Sequence, residues 1–464
     1  CLGTGGPGMV FGRSTNSVIN TGTAAGSVYR QGACYANGEF IQVHPTAIPG
    51  ADKLRLISES ARGEGGRVWV PRDPKEKRPG RDVPEKERDY FLEAKYPGYG
   101  NLVPRDIASR ELFLKCFHEK KGVYNTKSTK NENEVYLDLT HLPKEALRKK
   151  LAGILEIYEK FVGEDPYENP MRVFPAVHYS MGGLWVDFER ASNGSLVMGS
   201  PRNHATNIPG LYAAGECEYQ YHGANRLGAN SLLSCIWGGM VAGPALATYR
   251  NNLDKSSYDF PQALFDKAAK REQDRYTDIL KMDGDENPYR LHQDLAEEML
   301  LHCTIERHND QLDRVVAKID EIEQRARKVG VTDKAGFANQ GAQFIRHLGN
   351  MIVLARVIAQ GARNRDESRG AHYKPAFKDR NDADFLRTTL AFHKEGQGGG
   401  TSTIHYARDF DYSIAGVPIH ITDAVDIGLV KPRARKYEQA GAASAAATGD
   451  IKKEDKPAAK SPAE

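Results

Sequence analysis

Two glycine-rich stretches of strand-and-turn character, residues 1–40 and 182–241, stand on either side of a segment with a different texture, and this alternation most limits how the chain can fold. Glycine recurs in them beside Ser, Thr and Asn, the residue types that form turns and let backbones approach closely. Between them, residues 41–178 mix strand-like runs (40–43, 67–70, 135–139) with helical ones (107–117, 144–162). A third texture follows at 263–392, where apolar residues recur at helical spacing. Leu312, Val315, Val316, Ile319 and Ile322 share one helix face, as do Phe344, Leu348, Met351, Ile352 and Ala355. These stripes predict helix–helix packing. At 464 residues the chain is too long for one compact core, and two to four domains are expected.

Composition excludes several classes. Hydrophobic residues make up 40% and charged residues 27%, the balance of an ordinary globular protein. Net charge is +3 from 64 basic and 61 acidic residues, which argues against a nucleic-acid binder. The Arg-rich run 363–372 is interrupted by Asp366 and Glu367 and lacks interleaved aromatics, so an ion-pair network is expected there. No stretch is read as reaching the roughly 18 to 20 apolar residues that cross a bilayer, so membrane contact is expected through a partner. The six cysteines show neither CxxC nor zinc spacing, which predicts reduced thiols, a cytoplasmic setting and no metal site. Residues 71–89 read as a solvated charged loop, and the tail from about Gln439 as low-complexity and disordered.

Gly3-Thr4-Gly5-Gly6-Pro7-Gly8 satisfies G-x-G-x-x-G literally. A pyrophosphate loop needs an apolar strand before it and a helix opening on it. Nothing precedes this one, Pro7 removes an N–H, and residues 11–20 are not amphipathic. A tight turn beside a cofactor is the expectation, and the chain's start reads as a truncation.

Four clusters carry chemistry: Gln42-Val43-His44-Pro45-Thr46; the run from Leu56 to Gly66 with Ser58, Glu59 and Arg62; Pro104-Arg105-Asp106; and His178-Tyr179-Ser180-Met181-Gly182-Gly183 together with the run from Gly223 to Leu232 around Arg226. Singly each has a bland reading. A histidine before proline often ends a loop, and Glu59 with Arg62 at i, i+3 is an ordinary surface pair, although glycines at 63, 65 and 66 make this a poor helix. Arg226 stands out: a cation in a turn of small residues lies close to backbone and can be aimed at an anion.

The ordered set HPT, SESARGEGG, PRD, HYSMGG, AAGE and HGANRLGANSLL resembles the flavoprotein subunits of succinate dehydrogenase and fumarate reductase, over residues 1 to about 437. EIYEKFVGEDP, FPAVHYSMGGLWVD and KPRARKY are most similar to the succinate dehydrogenase branch with a single two-haem membrane subunit. The resemblance implies an incomplete α/β FAD-binding fold with an inserted α+β capping domain and a C-terminal helical bundle domain. Its boundaries would be FAD-binding residues 1–40 and 179–250, capping residues 41–178, helical residues 255–395, a C-terminal piece 396–438 and a disordered tail 439–464.

It also implies a dicarboxylate site of His44, Ser58, Glu59, His178 and Arg226, with Ser58 where a threonine is usual. Arg105 would serve as acid/base through a relay Arg105–Glu59–Arg62. Gly5, Gly6, Glu216, Asn230, Ser231 and Leu232 would lie at the FAD, Glu216 near its ribose. Thr23 replaces a common aspartate. The dinucleotide strand and the histidine that attaches FAD covalently are expected upstream of residue 1, so the isolated chain is expected to be inactive. The implied activity is oxidation of succinate to fumarate, with an iron–sulfur subunit, a membrane cytochrome b subunit and quinone as electron partners, at the cytoplasmic face of the cell membrane. Fumarate reductase and L-aspartate oxidase share the clamp; the latter tends to have Cys at the Met181 position. A non-catalytic fragment that binds the iron–sulfur partner is the remaining alternative.

Overall fold

The computed structural model describes residues 1–50, 54–125, 130–394, 401–406, 412–414 and 417–419. Of the expected C-terminal piece, only the strands Thr401–Tyr406, Tyr412–Ile414 and Val417–Ile419 fall within these residues; the tail 439–464 lies outside them.

A six-stranded antiparallel sheet organises residues 41–180. Its order is Arg55–Leu56, Ile41–Ile48, Met171–Ser180, Val135–Asp138, Arg67–Pro71, Arg88–Asp89. The helix Lys144–Val162 covers it with Leu147, Leu151, Leu155 and Tyr158, a stripe at helical spacing, and Gly163 in the left-handed region ends it. All eight residues of Ile41–Ile48 are buried, polar ones included.

Two irregularities in the pairing of Ile41–Ile48 with Met171–Ser180 matter most. Gln42 faces Tyr179, yet Val43 faces Val177, so His178 is an extra residue without a partner opposite it. The register shifts again between His44 and Ala47, around Pro45, which has no N–H to give to the ladder. Bulges of this kind re-aim side chains.

The glycine-rich stretches and the helical block share one core. Val10, Phe11, Tyr29, Ile41, Val177, Leu184 and Ala213 pack with Leu291, Leu295, Leu312, Val315, Leu348 and Met351. The helices Pro288–His302, Asn309–Ala326 and Gln340–Asn364 supply the second group. Asn287, with Pro288 after it, and Asn339 cap two of them through their side chains. A four-stranded sheet of Gly183–Leu184, Tyr35–Ala36, Thr389–Lys394 and Thr401–Tyr406 ties the chain's distant parts together.

Leu2 bridges in parallel to Ala213, and a short 3₁₀ turn, Gly8–Phe11, follows the glycine loop where a pyrophosphate site would need a long helix. One helix corrects the sequence expectation. Asn230–Asn251 is long and apolar enough, by length and composition, to cross a membrane. Its Gly, Ala, Ser and Thr interrupt the apolar run to the eye but carry no charge. Ser234, Gly238, Val241, Ala242 and Ala245 are buried, whereas Leu232, Ile236 and Met240 are exposed. The glycines after Ser58 did not prevent a single helical turn, Ser60–Gly63, which Gly63 closes.

The Arg-rich run forms the expected ion-pair network. Arg365, fully buried, donates to Glu39 at 2.7 Å and Glu367 at 2.9 Å, both also fully buried, and to the Thr389 hydroxyl. Glu367 also holds Arg369, and Asp366 holds Lys374. Deleting one partner of such a pair strands the other charge in the interior. Arg365→Ala should therefore cost about 3–5 kcal/mol, read by chemical denaturation; a loss below about 1 kcal/mol would contradict the network's structural role.

Candidate active site

The two bulges bring His44 and His178 face to edge, with ring centroids 5.2 Å apart at 68°. Each is tied at Nδ1. The Thr46 backbone N–H donates to His44 Nδ1 at 3.2 Å, and the Thr15 hydroxyl lies 2.6 Å from His178 Nδ1. Since Nδ1 of His44 accepts, its proton sits on Nε2, a buried atom without a partner among the described residues. Burial first, then the nearby guanidiniums of Arg105, Arg62 and Arg226 and the His178 ring, hold His44 well below its ordinary pKa. Burial, Arg226 and Arg105 push His178 down to about 3. Both rings are neutral near pH 7.

Arg226 is 2% exposed. It lies over the Tyr179 ring at 4.7 Å, and its Nη1 donates to the Leu227 carbonyl. Its Nε and Nη2 have no hydrogen-bond partner among the described residues. Burial, then repulsion by Arg105, lowers its pKa to about 10. These two N–H groups lie on one edge of the guanidinium, the edge that binds a carboxylate with two parallel hydrogen bonds.

Glu59 stands between two arginines. Its Oε1 accepts from Arg62 Nη2 at 3.0 Å, and its Oε2 accepts from Arg105 Nη2 at 3.1 Å and Nε at 3.3 Å. Arg62 is buried and anchored to the Asn101 carbonyl, and burial lowers its pKa to about 10. Arg105 opens the helix Arg105–Phe113, where Pro104 fixes the entry of the chain. Ser58 turns its hydroxyl to the Ser60 N–H at 3.3 Å, at the start of the short helical turn.

The sequence assigns no role to Gln42, although its place two residues before His44 on a strand gives a weak signal. Gln42 Oε1 accepts from Arg105 Nη1 at 3.2 Å, and its Nε2 donates to the Arg226 carbonyl at 2.6 Å and to Asn225 Oδ1 at 3.0 Å. Asn225 in turn donates to Asp106. One amide thus joins the strand, the Arg105 helix and the Arg226 loop. Gly228 closes the arrangement: a Cβ there would sit 2.2 Å from Glu59 Oε2.

The residues expected at FAD form a neighbouring group. Glu216 is half-buried and accepts from the Ser180 N–H at 3.0 Å and Asn16 Nδ2 at 3.4 Å; loss of hydration raises it to about 6. A side chain at Gly6 would collide with that carboxylate, at 2.5 Å, and Gly5 is left-handed with φ +73°. The helix Asn230–Asn251 begins after Ala229 with no side-chain cap; the Asn230 N–H donates to the Leu227 carbonyl at 3.4 Å, and the next amides, at Ser231 and Leu232, belong to the first turn, where an intrahelical acceptor is lacking. Close backbone approach beside an uncapped helix start, next to the histidines and Arg226, fits a planar, anion-forming cofactor such as a flavin. Thr23 is committed elsewhere, to Thr21 and to His347 at 2.7 Å. All six cysteines are free.

The fold and site define a flavin-binding protein with an anion-binding cleft beside the flavin position. Residues 2–232 match the FAD binding domain family, and residues 292–437 match the fumarate reductase flavoprotein C-terminal family. The chain is 52% identical over 438 residues to the succinate dehydrogenase flavoprotein subunit of Bacillus subtilis (strain 168), covering 94% of this chain and 66% of that protein. It is 33% identical over 427 residues to the fumarate reductase flavoprotein subunit of Escherichia coli (strain K12), covering 90% and 64%. A solved structure described as quinol-fumarate reductase with menaquinol molecules superposes with a TM-score of 0.73 at 30% identity, covering 90% of this chain and 67% of that one. The chain belongs to the family of succinate dehydrogenase and fumarate reductase flavoprotein subunits. FAD is its cofactor. It spans about two thirds, or slightly less, of the length of these curated relatives.

In Gly228→Ala the flexible end of Glu59 can swing aside, so stability should change by less than about 1 kcal/mol. Turnover should fall about 10- to 100-fold as Glu59 leaves Arg105; unchanged turnover would remove Glu59 from the mechanism. Separately, burial raises the Glu218 carboxyl to about 8. The folded state therefore keeps a proton that the unfolded state releases near its ordinary carboxylate pKa, and stability is lost as pH rises through that window. In Glu218→Gln the gain in Tm over wild type should widen from pH 5 to pH 8.5; a gain independent of pH would refute this.

Proposed function

We propose that this chain carries the dicarboxylate-oxidising site of a succinate dehydrogenase flavoprotein subunit. One observation carries the reading: a buried arginine with two unpartnered N–H groups faces two neutral histidines beside a second, carboxylate-linked pair of arginines. Buried donors without partners are costly, and a dianionic substrate would satisfy them.

In this reading Arg226, through Nε and Nη2, binds one carboxylate of succinate with two parallel hydrogen bonds, and His178 donates to the same end. His44 Nε2–H and the Ser58 hydroxyl hold the other. Neutral histidines are suited to this, because they donate without adding charge to a site already holding three guanidiniums. Polarising one carboxylate stabilises the charge that develops at the neighbouring carbon as it loses its proton. Arg105 takes that proton. An arginine base is unusual, with an ordinary guanidinium pKa above about 12; the Glu59 carboxylate at its Nε and Nη2 gives the proton an onward path. Each member of the relay gives up one proton as it gains one: Arg105 passes its own to Glu59, Glu59 passes one to Arg62, and Arg62 releases one outward, with both arginines within hydrogen-bond reach of Glu59. Gly5, Gly6, Glu216 and the start of the helix Asn230–Asn251 would hold FAD, which would supply the hydride acceptor for the other methylene carbon. The electrons would leave through an iron–sulfur subunit and a membrane cytochrome b subunit to quinone, at the cytoplasmic face of the cell membrane. The likeness to a quinol-fumarate reductase supports that assembly, and it supports the reverse reaction at the same site as a second reading.

The test uses flavin-loaded full-length protein and succinate-dependent dye reduction. Arg105→Ala and Arg105→Lys should lower turnover by at least about 10²–10⁴-fold, with binding of malonate, a dicarboxylate lacking a methylene pair to oxidise, within about threefold of wild type. Normal turnover in either variant sinks the Arg105 assignment. Absence of succinate oxidation and of malonate binding in the wild type sinks the reading as a whole.

A further inference from the structure

The two facing histidines are not held alike. His44 takes a backbone N–H at Nδ1 from its own strand, so its tautomer is set by main-chain geometry. His178 is the bulged residue and has no partner opposite it. What lies at its Nδ1 is a side chain from a distant loop, the Thr15 hydroxyl at 2.6 Å.

That loop is firmly built. Ser14 forms a parallel bridge to Val177, and the Thr15 N–H donates to the Val177 carbonyl at 3.0 Å, beside the bulge. The Ser14 carbonyl accepts from the Leu54 N–H. The Asn16 N–H donates to the Ser14 hydroxyl, and the Asn16 side chain reaches Glu216. Thr15 therefore stands on backbone bonds that depend on neither histidine.

The direction of the 2.6 Å hydrogen bond decides what His178 can do. If Nδ1–H donated to Thr15, Nε2 would be a bare acceptor, repelling a carboxylate, and the threonine hydroxyl proton would be left for the Val177 carbonyl at 3.5 Å, the outer limit of such a bond. If the hydroxyl donates to Nδ1, both groups are satisfied at short range and the histidine proton sits on Nε2. We infer that Thr15 is a positioning residue that fixes His178 as the Nε2–H tautomer, so that both histidines present a donor to an anionic ligand. This rests on the dicarboxylate reading above and adds to it a residue that sequence pattern does not reveal.

The test has one readout that needs no substrate. In flavin-loaded full-length protein labelled with ¹⁵N-histidine, the His178 resonances, identified by their loss in His178→Gln, report which nitrogen carries the proton. Wild type should show a protonated Nε2 and an unprotonated Nδ1; a protonated Nδ1 overturns the inference whether or not the protein turns over succinate. In Thr15→Val the tautomers should mix, malonate should bind about 10- to 100-fold more weakly, and KM for succinate should rise more than kcat falls. Thr15→Ser, which keeps the hydroxyl, should stay within about threefold of wild type. Malonate affinity in Thr15→Val equal to wild type also overturns it. Failure of wild type to bind malonate, with His178 still protonated at Nε2, counts against the dicarboxylate reading and leaves the tautomer assignment standing.

Discussion

The pairing of Ile41–Ile48 with Met171–Ser180 is the constraint on which the site depends. It closes a long excursion of chain and sets two elements edge to edge, with His44 on one and His178 on the other. A regular ladder would fix these side chains by simple alternation. Two register shifts, one at the unpaired His178 and one around Pro45, instead turn both rings into one space. The strand Ile41–Ile48 also carries Gln42, whose amide reaches the Arg105 helix and the Arg226 loop. A change in this pairing would separate residues that no other contact could bring together again.

Electrostatics then give the site its character. Arg62 and Arg105 share one carboxylate, Glu59, and Arg226 lies near it, while burial and those same guanidiniums keep the histidines neutral. The local charge is positive, and several of the donors are buried. Burying cations costs stability, and the ion pairs with Glu59 offset part of that cost. In the proposed function a dianion would offset the remainder on binding. The neighbouring uncapped start of Asn230–Asn251 points the same way, since an unfilled helix N-terminus attracts negative charge.

Much of this was legible in the sequence, though unevenly. Lys144–Val162 follows directly from its apolar spacing, and Gly163 marks its end. The helical stripes on Asn309–Ala326 and Gln340–Asn364 became core positions, as their period required. The meeting of His44 with His178 was not legible from spacing: it came only through resemblance, because a contact across a bulged antiparallel pair leaves no local periodic signal. Thr15 gave none, and Gln42 only its place two residues before His44, since one hydroxyl in a loop and one amide in a buried strand look like many others. The Asn230–Asn251 helix was misjudged for a different reason: small uncharged residues lower its apparent apolarity residue by residue without breaking its length.

The central claim is that Arg226, His178 and His44 together grip the two ends of a dicarboxylate. A crystal structure of the flavin-loaded full-length protein with malonate tests it most directly. One carboxylate should lie within hydrogen-bond distance of Arg226 Nε and Nη2 and of His178, and the other at His44 Nε2 beside Ser58. Malonate bound away from Arg226, or bound there with neither histidine in reach, would contradict it.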